Sequence, residues 1–151
     1  MLVWRLTRER YRGLDGEGAR LYGGRWHSEG VAILYASSTL ALAALEYLVH
    51  VDPLNAPPDL VALHIRVPES AAAERISAGD LPPDWARVAD HPECVRRGDR
   101  WAREEGSAVL YVPSAIVPDE DNLLIHPRRL PSDALEVVAS RRFSFDPRLL
   151  T

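Results

Sequence analysis

The chain has 151 residues, and its 18 basic and 22 acidic residues give a net charge of −4 at pH 7. This length predicts one compact domain. All 18 basic residues are arginine, which excludes lysine chemistry such as a Schiff base or a P-loop lysine. The acidic balance argues against direct nucleic-acid binding, for which a basic face is typical.

Targeting signals and cysteine usage both point to the cytoplasm. The single cysteine, Cys94, excludes an internal disulfide and a four-cysteine zinc site. The first ten residues lack the apolar run of a signal peptide, and no segment approaches the ~18 apolar residues of a membrane span. We therefore expect a cytoplasmic protein that does not contact a membrane.

The first half of the chain predicts three strands and one helix. Strand composition is found in VWRL, in VAILYAS (31–37) and in LVALHIRV. Residues 13–30 contain six glycines, which predicts a loop with unusual backbone angles or with a close approach to something bound. Possible capping residues at 37–39 predict a helix through about His50, before Pro53 stops the hydrogen-bond ladder.

The second half predicts one more helix and three more strands. Pro92 suits the first turn of a helix that runs to about Glu105. Strands are predicted in SAVLYVP, which stops at Pro113, in NLLIHP and in ALEVVASRRFSF. Strands outnumber helices and do not alternate regularly with them. This favours a single α+β domain over residues 1–151, with a mixed or antiparallel sheet core and a few helices.

Two candidate ligand-binding side chains lie in or just after the glycine-rich segment. Arg25 follows two glycines in GGRWH, which suits bidentate binding of a phosphate or carboxylate. The alternative is a surface arginine beside a turn. Tyr35 lies near the end of the VAILYAS strand, where its ring can stack on a planar ligand or simply pack in the core.

Three further candidates lie in the predicted helix and near the later strands. Glu46 is in the largely apolar run ALAALEYLVH, so it is paired, protonated or functional unless it lies on the solvent edge of the helix. Ser114 lacks a GxSxG context, which favours a hydrogen-bonding role over a nucleophilic one. Asn122 can cap or brace the same loop. No histidine or cysteine pair completes a metal-binding pattern, so no metal is expected.

Taken in order, these residues resemble the RES domain family, which is named for its arginine, glutamate and serine. The matching residues are Arg25, Glu46 and Ser114, with support from WRL at the start, the tyrosine of LYAS and the terminal FSFDPRLL. The resemblance extends over residues 4–150. It implies a fold similar to that of diphtheria-toxin-type ADP-ribosyltransferases.

Two positions depart from the pattern of that family. His27 follows GGRW, where the family usually has asparagine. His126 lies in IHPR, where the family favours Asn-Pro before a histidine. Substrate detail is therefore not carried over from these flanking positions.

The resemblance also implies a function. RES proteins are toxins of bacterial toxin–antitoxin pairs, so the chain is expected to degrade NAD+ as a glycohydrolase or phosphorylase and so arrest growth. The alternatives are ADP-ribosyl transfer to a specific protein target and a non-catalytic partner-binding domain. The implied partner is an antitoxin with an Xre-like helix-turn-helix region, which would block the active site, contact DNA and form a hetero-oligomer with the toxin.

In this interpretation Arg25, Glu46 and Ser114 are the catalytic residues, and Tyr35 and Asn122 join them in binding NAD+. Glu46 would stabilise the oxocarbenium-like state or hold the ribose hydroxyls. Arg25 would bind the pyrophosphate or a ribose, Tyr35 would stack on nicotinamide, and Ser114 would hydrogen-bond the nicotinamide amide or the ribose. No metal is required, because nicotinamide leaves as a neutral molecule. Removal of Arg25 is expected to leave folding nearly intact, because it lies in a loop.

Overall fold

Seven strands form one sheet in the computed structural model, which describes residues 1–151. The strands are β1 (Leu2–Arg8), β2 (Leu34–Ser37), β3 (Leu60–Arg66), β4 (Ala73–Arg75), β5 (Val109–Pro113), β6 (Asp121–Ile125) and β7 (Glu136–Arg142). Their order is β4-β5-β6-β2-β1-β3-β7, and all neighbours are antiparallel except β4 and β5. The predicted α+β class with a mixed sheet is confirmed.

Three α-helices accompany the sheet: α1 (Glu17–Tyr22), α2 (Leu40–Leu48) and α3 (Pro92–Arg103). Thr39 caps α2, because its Oγ1 accepts the N–H of Leu42 at 3.1 Å. Proline occupies the first position of α3, as predicted. Short 3-10 turns cover Glu9–Tyr11, Pro53–Asn55, Ala78–Asp80, Pro127–Arg129 and Pro147–Leu150.

The structure differs from the sequence prediction in two elements. The segment 13–30, predicted as a loop, contains α1, which begins after Gly16 and ends before Gly23. Both glycines have positive φ angles, of 75° and 67°, that L residues rarely adopt. The strand β4 was not predicted, because all three of its residues are exposed and show no alternation.

Apolar side chains cover both faces of the sheet. On one face, a continuous cluster crosses the sheet: Val3, Leu34, Ala36, Val61, Leu63, Ile65, Val67, Val109, Leu123 and Ile125. On the other face, one cluster lies beside α3 and includes Trp26, Trp85, Trp101 and Leu124. A third lies beside α2 and includes Leu6, Ala43, Ala62 and Phe145. The two helices therefore pack on the same face.

The sheet is weakly joined between β1 and β2. These strands pair only at Trp4 and Ser37, whereas β1 and β3 pair over seven residues, from Leu2↔Arg66 to Arg8↔Leu60. The sheet thus consists of two halves that meet at one residue pair. Backbone groups and side chains beside this pair are free to line a cavity.

Candidate active site

A cavity of about 610 Å³ lies where β1 and β2 separate. Its walls come from β1, β2, the ends of β5 and β6, α1, α2, the glycine-rich segment and residues 50–57. Four of the five predicted site residues line it, namely Arg25, Tyr35, Glu46 and Asn122. The fifth, Ser114, is fully buried behind the wall. The structure therefore gathers all five predicted residues around one cavity.

One oxygen of the Glu46 carboxylate is held by two donors. Ser114 Oγ and Asn122 Nδ2 each donate to Glu46 Oε1 at 2.6 Å. Ser37 Oγ in turn donates to Asn122 Oδ1 at 2.7 Å, which sets the orientation of the amide. Glu46 Oε2 has no hydrogen-bond partner in the protein, so this oxygen is available to a ligand in the cavity.

Ser114 contacts Glu46 and does not line the cavity. It is 0% exposed, and its hydroxyl oxygen accepts the backbone N–H groups of Ile116 at 3.1 Å and Val117 at 3.0 Å. Its single hydroxyl proton is donated to Glu46. In this arrangement Ser114 has no donor left for nicotinamide or ribose, so its geometry differs from the role expected from sequence.

Arg25 is presented by a tight turn. The N–H of Gly24 donates to the carbonyl of His27 at 3.0 Å, and the N–H of His27 donates back to Gly24 at 3.4 Å. Arg25 and Trp26 therefore form the tip of the turn. Trp26 is buried at 2% exposure, while Arg25 is only partly buried and reaches the cavity.

Arg25 also holds a distant segment of the chain. Its Nη1 donates to the carbonyl of Trp85 at 2.9 Å and to that of Val88 at 3.1 Å. Its guanidinium carbon lies 6.0 Å from the centre of the Trp85 ring. Loss of Arg25 would remove these contacts, so the expectation that it contributes little to folding does not fit the structure.

The helix α3 supports this turn through two residues that the sequence analysis missed. Gly98 packs directly on the backbone of Trp26, where a Cβ atom would overlap the Trp26 carbonyl oxygen. The next residue, Asp99, accepts the Ser28 N–H at 2.8 Å and the Ser28 hydroxyl at 2.5 Å. The only local sequence signal for these contacts is a glycine followed by an aspartate inside a helix. This signal does not show which segment of the chain the two residues contact.

The hydroxyl of Tyr35 is bonded inside the protein. It lies 2.7 Å from His27 Nδ1 and also accepts the Trp26 N–H at 3.4 Å. Burial raises the pKa of this hydroxyl above its ordinary value. Tyr35 lines the cavity while its hydroxyl is bonded on the protein side, and stacking of its ring on a ligand stays a prediction.

Arg5 is a second cavity arginine that the sequence analysis did not single out. Its Nε is buried and has no hydrogen-bond partner, and its Nη2 donates to the Tyr11 carbonyl at 3.4 Å. Burial lowers the pKa of Arg5 from its ordinary value to about 10, although Asp15 opposes this shift. The WRL motif contains this residue, but nothing in strand alternation separates it from a solvent-facing arginine.

His126, the second departure from the family pattern, does not line the cavity. Its ring lies edge-on to Trp101 at 6.0 Å, and its Nδ1 is buried without a partner. Burial, followed by the nearby Arg129 charge, lowers the pKa of His126. This residue therefore belongs to the packing between α3 and β6.

Neither a metal-binding cluster nor a membrane-spanning helix is found in the structure. No group of three or more histidine, cysteine, aspartate or glutamate side chains is placed to hold a metal ion. No helix has both the length and the apolar composition needed to cross a membrane.

A family model described as RES domain matches residues 2–147. The chain belongs to the RES domain family. The resemblance based on Arg25, Glu46 and Ser114 is thereby confirmed. Relatives of this chain carry toxin names, and the matches extend over most of both sequences.

Three of these relatives show the range of similarity. The "Prs ADP-ribosylating toxin" of Sphingobium sp. (strain YBL2) is 39% identical, and the match covers 91% of this chain and 86% of that toxin. "Toxin Res" of Photorhabdus laumondii subsp. laumondii is 38% identical, covering 84% and 82%. "Toxin Res" of Yersinia enterocolitica is 34% identical, covering 99% of both chains.

A solved structure has the same fold. It is described as the crystal structure of the M. tuberculosis MbcT-MbcA toxin-antitoxin complex, and it matches with a TM-score of 0.77 at 20% identity. The match covers 99% of this chain and 86% of the other. At this level of identity, the similarity shows only that the two chains share a fold.

Proposed function

We propose that this chain is the toxin of a toxin–antitoxin pair and cleaves the nicotinamide–ribose bond of NAD+. The observation that carries this proposal is Glu46, whose carboxylate is held by two donors on one oxygen and free on the other. The cavity volume of about 610 Å³ falls in the range of small-molecule and cofactor sites.

The chemistry requires stabilisation of developing positive charge. When the glycosidic C–N bond breaks, its electron pair goes to the pyridinium ring and nicotinamide leaves as a neutral molecule. Positive charge develops on the ribose in an oxocarbenium-like state. Ser114 and Asn122 hold the Glu46 carboxylate before the reaction, so little reorganisation is needed as this charge appears. Water, phosphate or a protein side chain then attacks the ribose carbon and loses a proton.

Arginines supply the cationic contacts to the pyrophosphate in this proposal. The chain has no lysine, and Arg5 and Arg25 are the two arginines that line the cavity. Arg5 Nε has a free donor, and the planar guanidinium suits bidentate phosphate binding. The Tyr35 ring would then stack on nicotinamide, with its hydroxyl held on the protein side.

The acceptor of the ADP-ribosyl group distinguishes two candidate reactions. NAD+ breakdown uses water or phosphate as the acceptor, whereas ADP-ribosyl transfer uses a protein. The second candidate is supported by the relative named "Prs ADP-ribosylating toxin", which is 39% identical. Both reactions would use the same cavity, so the acceptor has to be identified by experiment.

The proposed partner is an antitoxin with an Xre-like helix-turn-helix region, bound in a hetero-oligomer in the cytoplasm. The similar fold comes from a toxin–antitoxin complex, which supports an antitoxin partner. The net charge of −4 supports assigning any DNA contact to that partner.

The decisive experiment incubates the purified chain with NAD+, with and without phosphate and with and without a cell-protein acceptor. Nicotinamide release and transfer of labelled ADP-ribose are followed separately. We expect Glu46→Gln to lower nicotinamide release about 100-fold or more. The matched control Glu105→Gln changes an exposed glutamate and should keep full activity. Intact NAD+ with folded wild-type protein under every condition would contradict the proposal.

A further inference from the structure

His27 is buried beside the cavity between two hydrogen-bond partners. It is 1% exposed, and neither ring nitrogen is left free. Nε2 lies 2.9 Å from the carbonyl oxygen of Ala19 in α1, and Nδ1 lies 2.7 Å from the hydroxyl of Tyr35 in β2. One side chain thus connects a helix and a strand that both line the cavity.

These partners determine the tautomer of the ring. A carbonyl oxygen only accepts, so His27 Nε2 carries the proton and donates it to Ala19. The unprotonated Nδ1 then accepts the O–H proton of Tyr35. The hydroxyl oxygen also accepts the N–H of Trp26 at 3.4 Å. Tyr35 therefore donates its only hydroxyl proton to His27.

The packing around this pair leaves little space. A Cβ atom on Gly24 would lie 3.0 Å from the Tyr35 hydroxyl and 3.1 Å from His27 Cε1. The two rings are 5.4 Å apart with their planes at 48°. The turn that contains Arg25 therefore packs directly against the His27 and Tyr35 side chains.

We propose that His27 is a positioning residue that holds the Tyr35 ring in the orientation needed to bind the nicotinamide end of NAD+. This inference rests on the proposed function. His27 contacts no ligand in this arrangement and acts only through Tyr35 and the turn. Its loss would let the Tyr35 ring rotate, which weakens ground-state binding and raises the KM for NAD+.

The test compares His27→Leu, which has no polar atoms, with His27→Gln, whose amide both accepts and donates. Tyr35→Phe removes the same hydrogen bond from the other side. We expect His27→Leu and Tyr35→Phe each to raise the KM about three- to tenfold, because each removes the hydrogen bond between His27 and Tyr35. The double variant should be no worse than either single one, and His27→Gln should restore most of the affinity.

A variant that only destabilises the fold is expected to leave the KM unchanged. Val67→Ala, in the core away from the cavity, serves as the control and should lower the melting temperature with an unchanged KM. A His27→Leu variant that behaves like this control, or is not improved in His27→Gln, would overturn the positioning role.

A second measurement does not depend on activity. Long-range ¹⁵N NMR of the histidine side chains should show His27 as the neutral Nε2–H tautomer, with the Nδ1 signal shifted in Tyr35→Phe. The opposite tautomer, or no shift, would overturn the inference. If the wild-type protein does not use NAD+, the proposed function and the expected KM changes are both wrong. The NMR measurement would still test the hydrogen bond between His27 and Tyr35.

Discussion

Glu46 receives its two donors from parts of the chain that are far apart in sequence. Ser114 is separated from it by 68 positions and Asn122 by 76. Each donor is itself held, Ser114 by two backbone N–H groups and Asn122 by Ser37. A carboxylate supported in this way keeps its orientation when a ligand enters, which is the requirement for electrostatic stabilisation.

Ser114→Ala tests this support. The change removes one donor from Glu46 and leaves the N–H groups of Ile116 and Val117 without their acceptor. We expect the free energy of unfolding to fall by about 1–3 kcal/mol and NAD+ turnover to fall about tenfold. Urea unfolding and nicotinamide release measure the two effects. The exposed Ser132→Ala is the control, and equal behaviour of both variants would argue against the network.

At the scale of elements, α3 and the Gly24–His27 turn form one unit. The helix lies at Gly98 against the Trp26 backbone, and Asp99 bonds Ser28 just after the turn. Arg25 extends this unit to the segment that contains Trp85 and Val88. The position of Arg25 at the cavity therefore depends on a helix that contributes no residue to the cavity lining.

Gly98→Ala should break this unit. The added methyl group meets the rigid carbonyl of Trp26, so we expect a loss of about 3 kcal/mol or more in unfolding free energy. Gly18→Ala is the matched control, because Gly18 is also in a helix but has no atom within 4 Å of an added Cβ. That variant should gain about 0.5–1 kcal/mol. Thermal unfolding of both variants decides the point, and a tolerated Gly98→Ala would refute the close packing.

At the scale of the whole molecule, the titratable groups determine how stability depends on pH. The pKa of His126 is lowered from 6.5, first by burial and then by Arg129. The pKa of Glu93 is lowered to about 2 by hydrogen bonds from Arg96 and Arg97. Lowered folded-state pKa values contribute stability at high pH that is lost as the pH falls.

We therefore expect stability to decline in two stages on acidification. Below pH 6.5 the unfolded chain takes up a proton that the folded His126 resists, so the decline begins there. Below pH 4.5 Glu93 adds a second decline that ends at about pH 2. Urea unfolding at several pH values measures this curve. His126→Gln should flatten the first stage relative to the wild type. An equal slope in both proteins would contradict the assignment.

Local patterns in the sequence identified most elements and the candidate site residues. The alternation in LVALHIRV predicted β3, and the candidate capping residues at 37–39 with apolar helical spacing predicted α2. Short motifs in chain order identified Arg25, Glu46 and Ser114. These features depend on neighbours within a few residues, so the sequence alone contains them. The helix α1 was missed because its glycines are usually typical of loops, and β4 because its side chains are all exposed.

The sequence by itself determined that an arginine, a glutamate and a serine occur in RES order, with arginine as the only fixed cation. The tertiary structure decided what each one contacts. It bonded Ser114 to Glu46, tied Arg25 to Trp85, and brought Arg5 to the cavity beside the single β1–β2 pair. These contacts join residues separated by tens of positions. Their free energies depend on burial and on hydrogen-bond geometry, and both exist only once the chain has folded.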